Sequence, residues 1–379
     1  MNSLAKGQRV VVSHFAETPL EAIESAMELV PMDAPDVKAL RATDVIVAVK
    51  SAAVGWVDLL MTSGQYQHMA KPPYTPGLEL AGEVVWIGAD LIHREVKQQA
   101  FAALRLGERV IVDGLLSGPR SLGAYQAWGG FASYVVAPRE AVLPIPDSLS
   151  FDQAAALLGS YETAYHCLVT RGRLKAGETV LIHGASGATG LAAVQVAKLL
   201  GATVIATGRS REKLASVQAE GADHVVLIER DDSGIKPFRD EVRGLTQGRG
   251  VDVVYDGVGG DISLESLKCV RFGARFLIVG WASTPFVAKG KGQRGAPNAN
   301  VLPTNLIMMK SLDVLGCPTA ISTAEDPSTR APRLQQVMTW AREGKLHPHV
   351  SHTFALRDFK EAMRAKWNGE VLGGCVLHP

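Results

Sequence analysis

Residues 179–213 read TVLIHGASGATGLAAVQVAKLLGATVIATGRSREK, and no other stretch constrains the fold as tightly. An apolar strand, Thr179–His183, runs into a glycine-rich loop. A helix is predicted over Leu191–Leu200, followed by a second apolar strand over Thr203–Thr207. This is a βαβ unit with a dinucleotide fingerprint. Ala185 takes the first fingerprint position, with Gly187 and Gly190 at the other two. Gly187 leaves room for backbone N–H groups to approach a pyrophosphate, and Gly190 lets the helix pack closely on the strand. The loop Ala185, Ser186, Gly187, Ala188, Thr189 and Gly190 is therefore the expected phosphate cradle, assisted by the positive end of the helix. The second strand selects the cofactor. An NAD site carries an acid there, against the ribose 2′-hydroxyl. This chain has Arg209 and Ser210, with Lys213 one turn further on, a set suited to the 2′-phosphate of NADP(H).

The texture on either side divides the chain. Residues 1–150 hold short Val-rich runs (Val45–Val49, Gly82–Ile87, Arg109–Val112, Ser133–Val136) broken by Gly and Pro turns, the pattern of an irregular β-barrel or sandwich rather than a parallel sheet. Glu95–Leu104 reads as a short helix or polar excursion between two of those strands. Residues 151–318 alternate strand and helix. Ser150 is the expected cap of a helix over Phe151–Leu158, and helices follow over Thr163–Arg171, Glu212–Glu220, Lys236–Thr246 and Ile262–Val270. Strands are expected at His224–Leu227, Val251–Tyr255, Arg275–Val279 and Leu312–Leu315. Near-continuously apolar strands at this spacing imply an α/β fold with a doubly wound parallel sheet. Ala282–Pro303 reads as a long exposed loop. Residues 319–379 are expected to return to the first domain.

Bulk properties exclude several classes. The 379 residues carry a net charge of +1, with 20% charged and 47% hydrophobic, so nothing draws the chain to nucleic acid or an acidic membrane. No apolar run reaches the length of a membrane span, and the N-terminus shows no secretory pattern, so a cytoplasmic protein is expected. Cys167, Cys269, Cys317 and Cys375 are widely spaced, form no CxxC pair, and read as buried reduced thiols. The ten histidines form no ligand cluster, so no metal is implied. His183, on a buried strand, reads as structural.

Ordered motifs across nearly the whole chain carry a family resemblance: VGWVDLLMTSGQY (54–66), YTPGLELAGEVVWIG (74–88), LGERVIV (106–112), WGGFASYVVAP (128–138), SYETAYHCL (160–168), the glycine loop, VDVVYDGVGG (251–260), ARFLIVGW (274–281) and TNLIMMKSLDVLGC (304–317). With these the chain resembles the medium-chain dehydrogenase/reductase superfamily, in its zinc-free quinone oxidoreductase branch. The resemblance implies a GroES-like barrel as the catalytic domain beside a Rossmann-type NADP-binding domain. Zinc-dependent relatives carry a Cys ligand where this chain has Gly55 and a His ligand where it has Leu78, and neither residue here binds zinc. Glu79 then remains as a hydrogen-bonded structural acid. Quinone oxidoreductases commonly have Asn at the position of Gly55, paired with an acid that here is Asp58, and Trp56 beside it implies a reshaped pocket.

By the same resemblance the nicotinamide lies near Val258, Gly259, Val279, Gly280 and Trp281, with Thr163 and Asn305 as further cofactor contacts. Without a metal, hydride must go to an acceptor that takes charge into its own π-system, a quinone or an enone such as a 2-alkenal. Tyr66 is the candidate hydroxyl for the substrate carbonyl, with Tyr161, Tyr165 or solvent as alternatives. Relatives pair through edge strands of the cofactor domain, which makes Leu312–Leu315 the expected homodimer strand. A cofactor-binding protein that has lost its chemistry is the reading from another class.

Overall fold

Val180, Leu181 and Ile182 have no exposed surface at all, and such a strand belongs at the centre of a sheet covered on both faces. In the computed structural model, which describes residues 4–66, 70–93, 104–121, 123–232, 234–283 and 300–379, this strand does lie there. The chain divides into two units. Residues 4–158 and 350–379 form the first; residues 159–283 and 300–349 form the second. The boundary thus falls at Leu158 rather than at 150. Residues 319–349, expected to return to the barrel, remain with the second unit, and the return begins at Val350.

The first unit opens with a hairpin of β1 (Gly7–Val12) and β2 (Met27–Met32), joined through α1 (Pro19–Ser25). It continues with β3 (Asp44–Ala53), α2 (Trp56–Thr62), β4 (Glu79–Ile87), α3 (Ala89–His93), β5 (Arg109–Val112), β6 (Tyr134–Pro138), β7 (Val142–Pro144) and α4 (Phe151–Ala155). The long strand β3 organises it. One side pairs with β4 throughout; the other pairs with β6 near Asp44–Ala48 and with the C-terminal strand near Ala52-Ala53. Register shifts after Ile46 and Val49 let one strand serve all three, as bulges bend and twist their strand. The core behind it contains Val45, Val47, Val84, Val110, Phe131 and Val135, all essentially sealed from solvent. The cap at Ser150 forms a complete capping box. Its Oγ accepts from Gln153 N at 3.2 Å, and Gln153 Oε1 accepts from Ser150 N at 3.0 Å. The helix ends at Ala155, short of the expected Leu158, because Ala156 N turns back to Asp152 and Gln153.

The second unit runs α5 (Leu158–Tyr165), a π-helical turn (His166–Arg171), β8 (Thr179–Ile182), α6 (Ala188–Leu199), β9 (Thr203–Gly208), α7 (Arg211–Ala219) and β10 (His224–Leu227). A two-residue hairpin follows, β11 (Arg230–Asp231) with β12 (Gly234–Ile235). Then come α8 (Arg239–Leu245), β13 (Val251–Asp256), α9 (Asp261–Cys269), β14 (Val270–Ile278), α10 (Thr304–Met309), β15 (Asp313–Gly316), α11 (Thr319–Glu325) and α12 (Arg330–Arg342). The sheet order is β10-β9-β8-β13-β14-β15, all parallel. From β8 the chain steps outward through β9 and β10, then restarts at β13 and steps outward the other way. The switch point therefore lies between β8 and β13, where open α/β sheets place their ligands. The tail, β16 (Val350–Ala355), α13 (Phe359–Trp367) and β17 (Gly374–His378), lays β17 against β3.

Most expected elements appear with ends shifted by a few residues. β14 is the exception, beginning at Val270 rather than Arg275, and α11 and the first hairpin were not foreseen. A buried ion cluster holds the helices of the second unit together. The Glu162 carboxylate on α5 accepts from Arg330 at 2.7 and 3.0 Å and from Arg333 at 3.0 Å, both on α12, and Arg333 also reaches Thr323 of α11. Removing Glu162 would take the shared carboxylate from two buried cations, at a cost of about 3–5 kcal/mol. The expected excursion Glu95–Leu104 and the loop Ala282–Pro303 lie largely outside the described residues.

Candidate functional site

At the C-terminal end of β8 the chain turns through Gly184 into α6, whose helix begins at Ala188 rather than at the expected Leu191. A Cβ on Gly190 would stand 2.2 Å from the Gly184 carbonyl oxygen, so only glycine allows α6 to seat this close to the turn. A Cβ on Gly187 would meet only that same oxygen, at 3.4 Å, leaving open space above the position. Gly187 caps α6 without a side chain, so the first-turn N–H groups at Ala188 and Thr189 have no intrahelical acceptor. Ala185 is buried, with its N–H donated to Thr207 O at 3.2 Å, while Ser186 is half-buried. These groups form a neutral cradle that an anion fits.

The end of β9 supplies the charge. Arg209 is exposed just after the strand. Ser210 caps α7, its Oγ accepting from Lys213 N at 3.3 Å, which leaves the hydroxyl hydrogen to donate elsewhere. Lys213 is half-buried in the first turn of that helix.

Across the switch point, the turn after β13 is braced by one residue. Asp256 Oδ1 accepts from Val258 N and Gly259 N, both at 2.9 Å, and Oδ2 accepts the Ser263 hydroxyl. Ser263 Oγ in turn accepts from Asn300 Nδ2 at 2.7 Å. Val279 N and Gly280 N donate to Asp256 O, and Ser283 N and Oγ donate to Val258 O at 2.9 and 2.8 Å. Gly259 has φ +80°, and a Cβ there would lie 3.2 Å from Trp281 Cα. Val258, Gly259, Val279, Gly280 and Trp281 are thus drawn into one knot, and Val258 Cγ2 reaches within 3.2 Å of where a Gly184 Cβ would be. Thr163, half-buried on α5, and Asn305, exposed on α10, make no hydrogen bond to this knot among the described residues. The bracing set Asp256, Ser263 and Asn300 was missed from sequence. An acid directly before a glycine turn was its only signal.

His183 lies under the cradle and is fully engaged. Ser266 Oγ gives its hydrogen to Ile262 O, so at 2.6 Å it accepts from His183 Nε2, and Nδ1 accepts from Thr207 at 2.8 Å. Burial lowers this imidazole to about 4, and it stays neutral. Tyr161 is also committed, donating to Gln195 Oε1 at 2.7 Å, and Tyr165 packs on Trp340. The Tyr161 hydroxyl is thereby committed away from an acid's role.

In the barrel unit, Gly55 caps α2, and Asp58 on that helix is buried. Asp58 Oδ2 accepts from Gly55 N and Oδ1 from Gly77 N, each at 3.0 Å. Burial, reinforced by the charge of Glu79, pushes the carboxyl up to about 7, although the two N–H donors pull the other way. Leu78 is in the core, and Glu79 is half-buried at the start of β4. Trp56 stacks on Trp367 with centroids 5.2 Å apart. Tyr66 is half-buried against the same core. Among the described residues no three His, Cys, Asp or Glu side chains gather as a metal site. No helix among them is long and apolar enough to cross a membrane. All four cysteines are buried and unbridged.

Known proteins share this arrangement. The model of the alcohol dehydrogenase GroES-like domain matches residues 41–147, and that of the zinc-binding dehydrogenase matches residues 188–327. A quinone oxidoreductase-like protein 2 homolog from Nematostella vectensis is 33% identical over 94% of this chain and 87% of its own length. The chain belongs to the quinone oxidoreductase branch of the medium-chain dehydrogenase/reductase superfamily. Among solved members of this fold, a probable oxidoreductase from Mycobacterium abscessus superposes with TM-score 0.77 at 26% identity, covering 99% of both chains. A quinone oxidoreductase from Pseudomonas syringae gives 0.75 at 27%, covering 98% of this chain and all of that one. The superfamily's two-part plan, barrel and dinucleotide fold, is therefore present from end to end.

Proposed function

We propose that this chain is an NADPH-dependent reductase of conjugated carbonyl compounds, quinones or enones such as 2-alkenals, working without a metal. The end of β9 carries the reading: Arg209 and Ser210 stand where an NAD site would carry an acid, next to a cradle in which the N–H groups of Ala188 and Thr189 have no intrahelical acceptor. Gly187 and Gly190 leave space for a pyrophosphate above α6, Arg209 and Ser210 would hold the 2′-phosphate, and the knot around Gly259 and Gly280 would flank the nicotinamide. When bound, NADPH supplies a hydride. The chain supplies the rest. The Asp256 brace fixes the knot, and Tyr66 is the candidate donor to the acceptor's carbonyl. The metal-free part rests on Gly55 and Leu78, residue types with no ligand atom. Purified protein would be mixed with NADPH and, separately, with a panel of quinones and a panel of 2-alkenals and cyclic enones. NADPH is consumed with at least one panel. Tight NADPH binding with no consumption in either would sink the enzyme reading in favour of a non-catalytic binder.

The proposal extends to a second copy of the chain. The outer edge of β15 is unpaired among the described residues. Near it Phe272, Met308 and Met309 are 72%, 73% and 57% exposed. An apolar face beside an open edge is a liability unless a partner covers it. Sedimentation at twice 40.4 kDa is expected, and a single-chain mass would refute the pairing.

A further inference from the structure

Two of the four buried cysteines are held differently from the others. Cys269 Sγ donates to Glu265 O at 3.5 Å and Cys375 Sγ to Ala362 O at 4.0 Å, each thiol resting on a helix carbonyl. Burial pushes these two up to about 12 and about 11, as it does for inert core thiols. Cys167 and Cys317 have each other instead. Their sulfurs meet as hydrogen-bond partners within the second unit, one from the π-helical turn and one from the residue after β15.

The backbone fixes both sides of this contact. Cys167 O accepts from Gly172 N at 2.7 Å, the five-residue bond of a π turn, a geometry found frequently at functional sites. Cys317 N donates to Ile278 O at 3.0 Å, and Arg171 Nε donates to Gly316 O at 2.9 Å. Arg171 thus ties the turn to the residue before Cys317 and brings its guanidinium to that sulfur.

The two thiols are unequal. Cys167 has no exposed surface, and burial, reinforced by the bond to Cys317, raises it well above the ordinary thiol range. Cys317 is lowered by the hydrogen bond with Cys167 and by Arg171, although burial opposes them. Its chain neighbours Gly316 and Pro318 are exposed. The Tyr255 hydroxyl, buried without an oxygen or nitrogen partner, lies within electrostatic reach of both sulfurs. Burial raises it well above its usual range, so no second anion opposes the Cys317 thiolate.

We propose that Cys167 and Cys317 are a hydroperoxide-sensitive dithiol that closes to a disulfide and staples the cofactor unit. The Cys317 thiolate attacks one oxygen of the hydroperoxide and the O–O bond breaks. The other oxygen leaves as an alcohol (water, for hydrogen peroxide), taking up the proton the thiol released, and Cys317 becomes a sulfenic acid. Cys167 then attacks that sulfur. The S–S bond forms, the S–O bond breaks, and hydroxide departs as water with the Cys167 proton. Two thiols are oxidised and one hydroperoxide is reduced. The bridge joins a turn before β8 to the residue after β15, so it closes a loop that holds the entire parallel sheet. Constraining so long a loop in the unfolded chain stabilises the unit. This chemistry is independent of the reductase reading.

The test uses the full chain, reduced, freed of reductant and treated with hydrogen peroxide until free cysteine in the same solution is consumed. Remaining thiols are alkylated under denaturing conditions and the peptides mapped by mass spectrometry. A peptide bridging Cys167 and Cys317 is expected, with Cys269 and Cys375 alkylated and the bridge reopened by dithiothreitol. The oxidised protein should melt several degrees above the reduced one. Cys167→Ser should leave Cys317 as a sulfenic acid that dimedone labels, whereas Cys317→Ser should give neither a bridge nor a label on Cys167. Four alkylated cysteines after peroxide treatment would overturn the proposal, as would a bridge through Cys269 or Cys375. Dimedone on Cys167 in the Cys317→Ser protein would refute the assigned roles. A bridge with no rise in melting temperature would refute the staple.

Discussion

The glycine turn of the second unit and the Asp58 shell of the first are built in opposite ways. The turn is assembled from about thirty consecutive residues, and nearly every polar group in or under it has a stated task. The shell gathers Gly55, Asp58, Tyr74, Gly77, Gly114 and Arg120 from separate segments, and leaves the Tyr74 hydroxyl and Arg120 Nε unpartnered. A dinucleotide is large and rigid enough to be met by a preformed backbone surface. The shell, by contrast, depends on contacts that form only when separate segments meet.

The contrast is broken most severely at Gly190. Gly190→Ala puts a methyl 2.2 Å from a carbonyl oxygen, and the cofactor unit should lose about 3 kcal/mol, read as a lower denaturant midpoint. Gly187→Ala should leave that midpoint nearly unchanged and weaken only NADPH binding. If both variants unfold alike, the two glycines have not been told apart. Next comes Arg209→Asp, which should raise the NADPH dissociation constant about 100-fold by removing a charge-assisted contact, and the NADH constant little. Equal losses would mean that this end of the motif does not read the 2′-phosphate.

A smaller effect separates the units by pH. Asp58 has its carboxyl raised from 3.8 to about 7, so the folded state holds a proton that the unfolded state has released. Its favourable contribution is complete below pH 3.8 and is lost as pH climbs to about 7. In the second unit, burial lowers His183 and His166 from 6.5 to about 4. Their contribution is complete above pH 6.5 and is lost as pH falls to about 4. Asp58→Asn should therefore gain on the parent as pH rises through that window, while His183→Gln should gain as pH falls. Parallel melting curves for either pair would refute the assignment. The smallest effect is expected at Ser150→Ala, which removes one side of a capping box for about 1 kcal/mol and leaves NADPH binding intact.

Legibility in the sequence followed the same division. Backbone-built features were visible: the βαβ unit, the cap at Ser150, the parallel sheet and the placement of Val258 and Gly259 beside Gly280 all follow from periodicity, glycines or family motifs. Asp58 was visible only as a remnant of a family pair. Arg120 was invisible, because nothing local in the sequence relates it to Asp58, whose charge it feels. The extent of β14 and the stay of residues 319–349 in the second unit were also missed. In the latter case a single buried carboxylate, Glu162, holds α12 in place, and no periodicity announces an ion pair formed 168 residues apart.

The Asp256 brace has one more consequence. Asn300 gives its amide hydrogen to Ser263, Ser263 gives its only hydroxyl hydrogen to Asp256, and Asp256 receives on both oxygens from three donors. The one hydroxyl hydrogen of Ser263 is committed to Asp256, and both Asp256 oxygens are occupied by donors. Such a chain cannot pass a proton along; it works as an anchor and not as a wire. A proton needed for the proposed reduction would have to travel by another route.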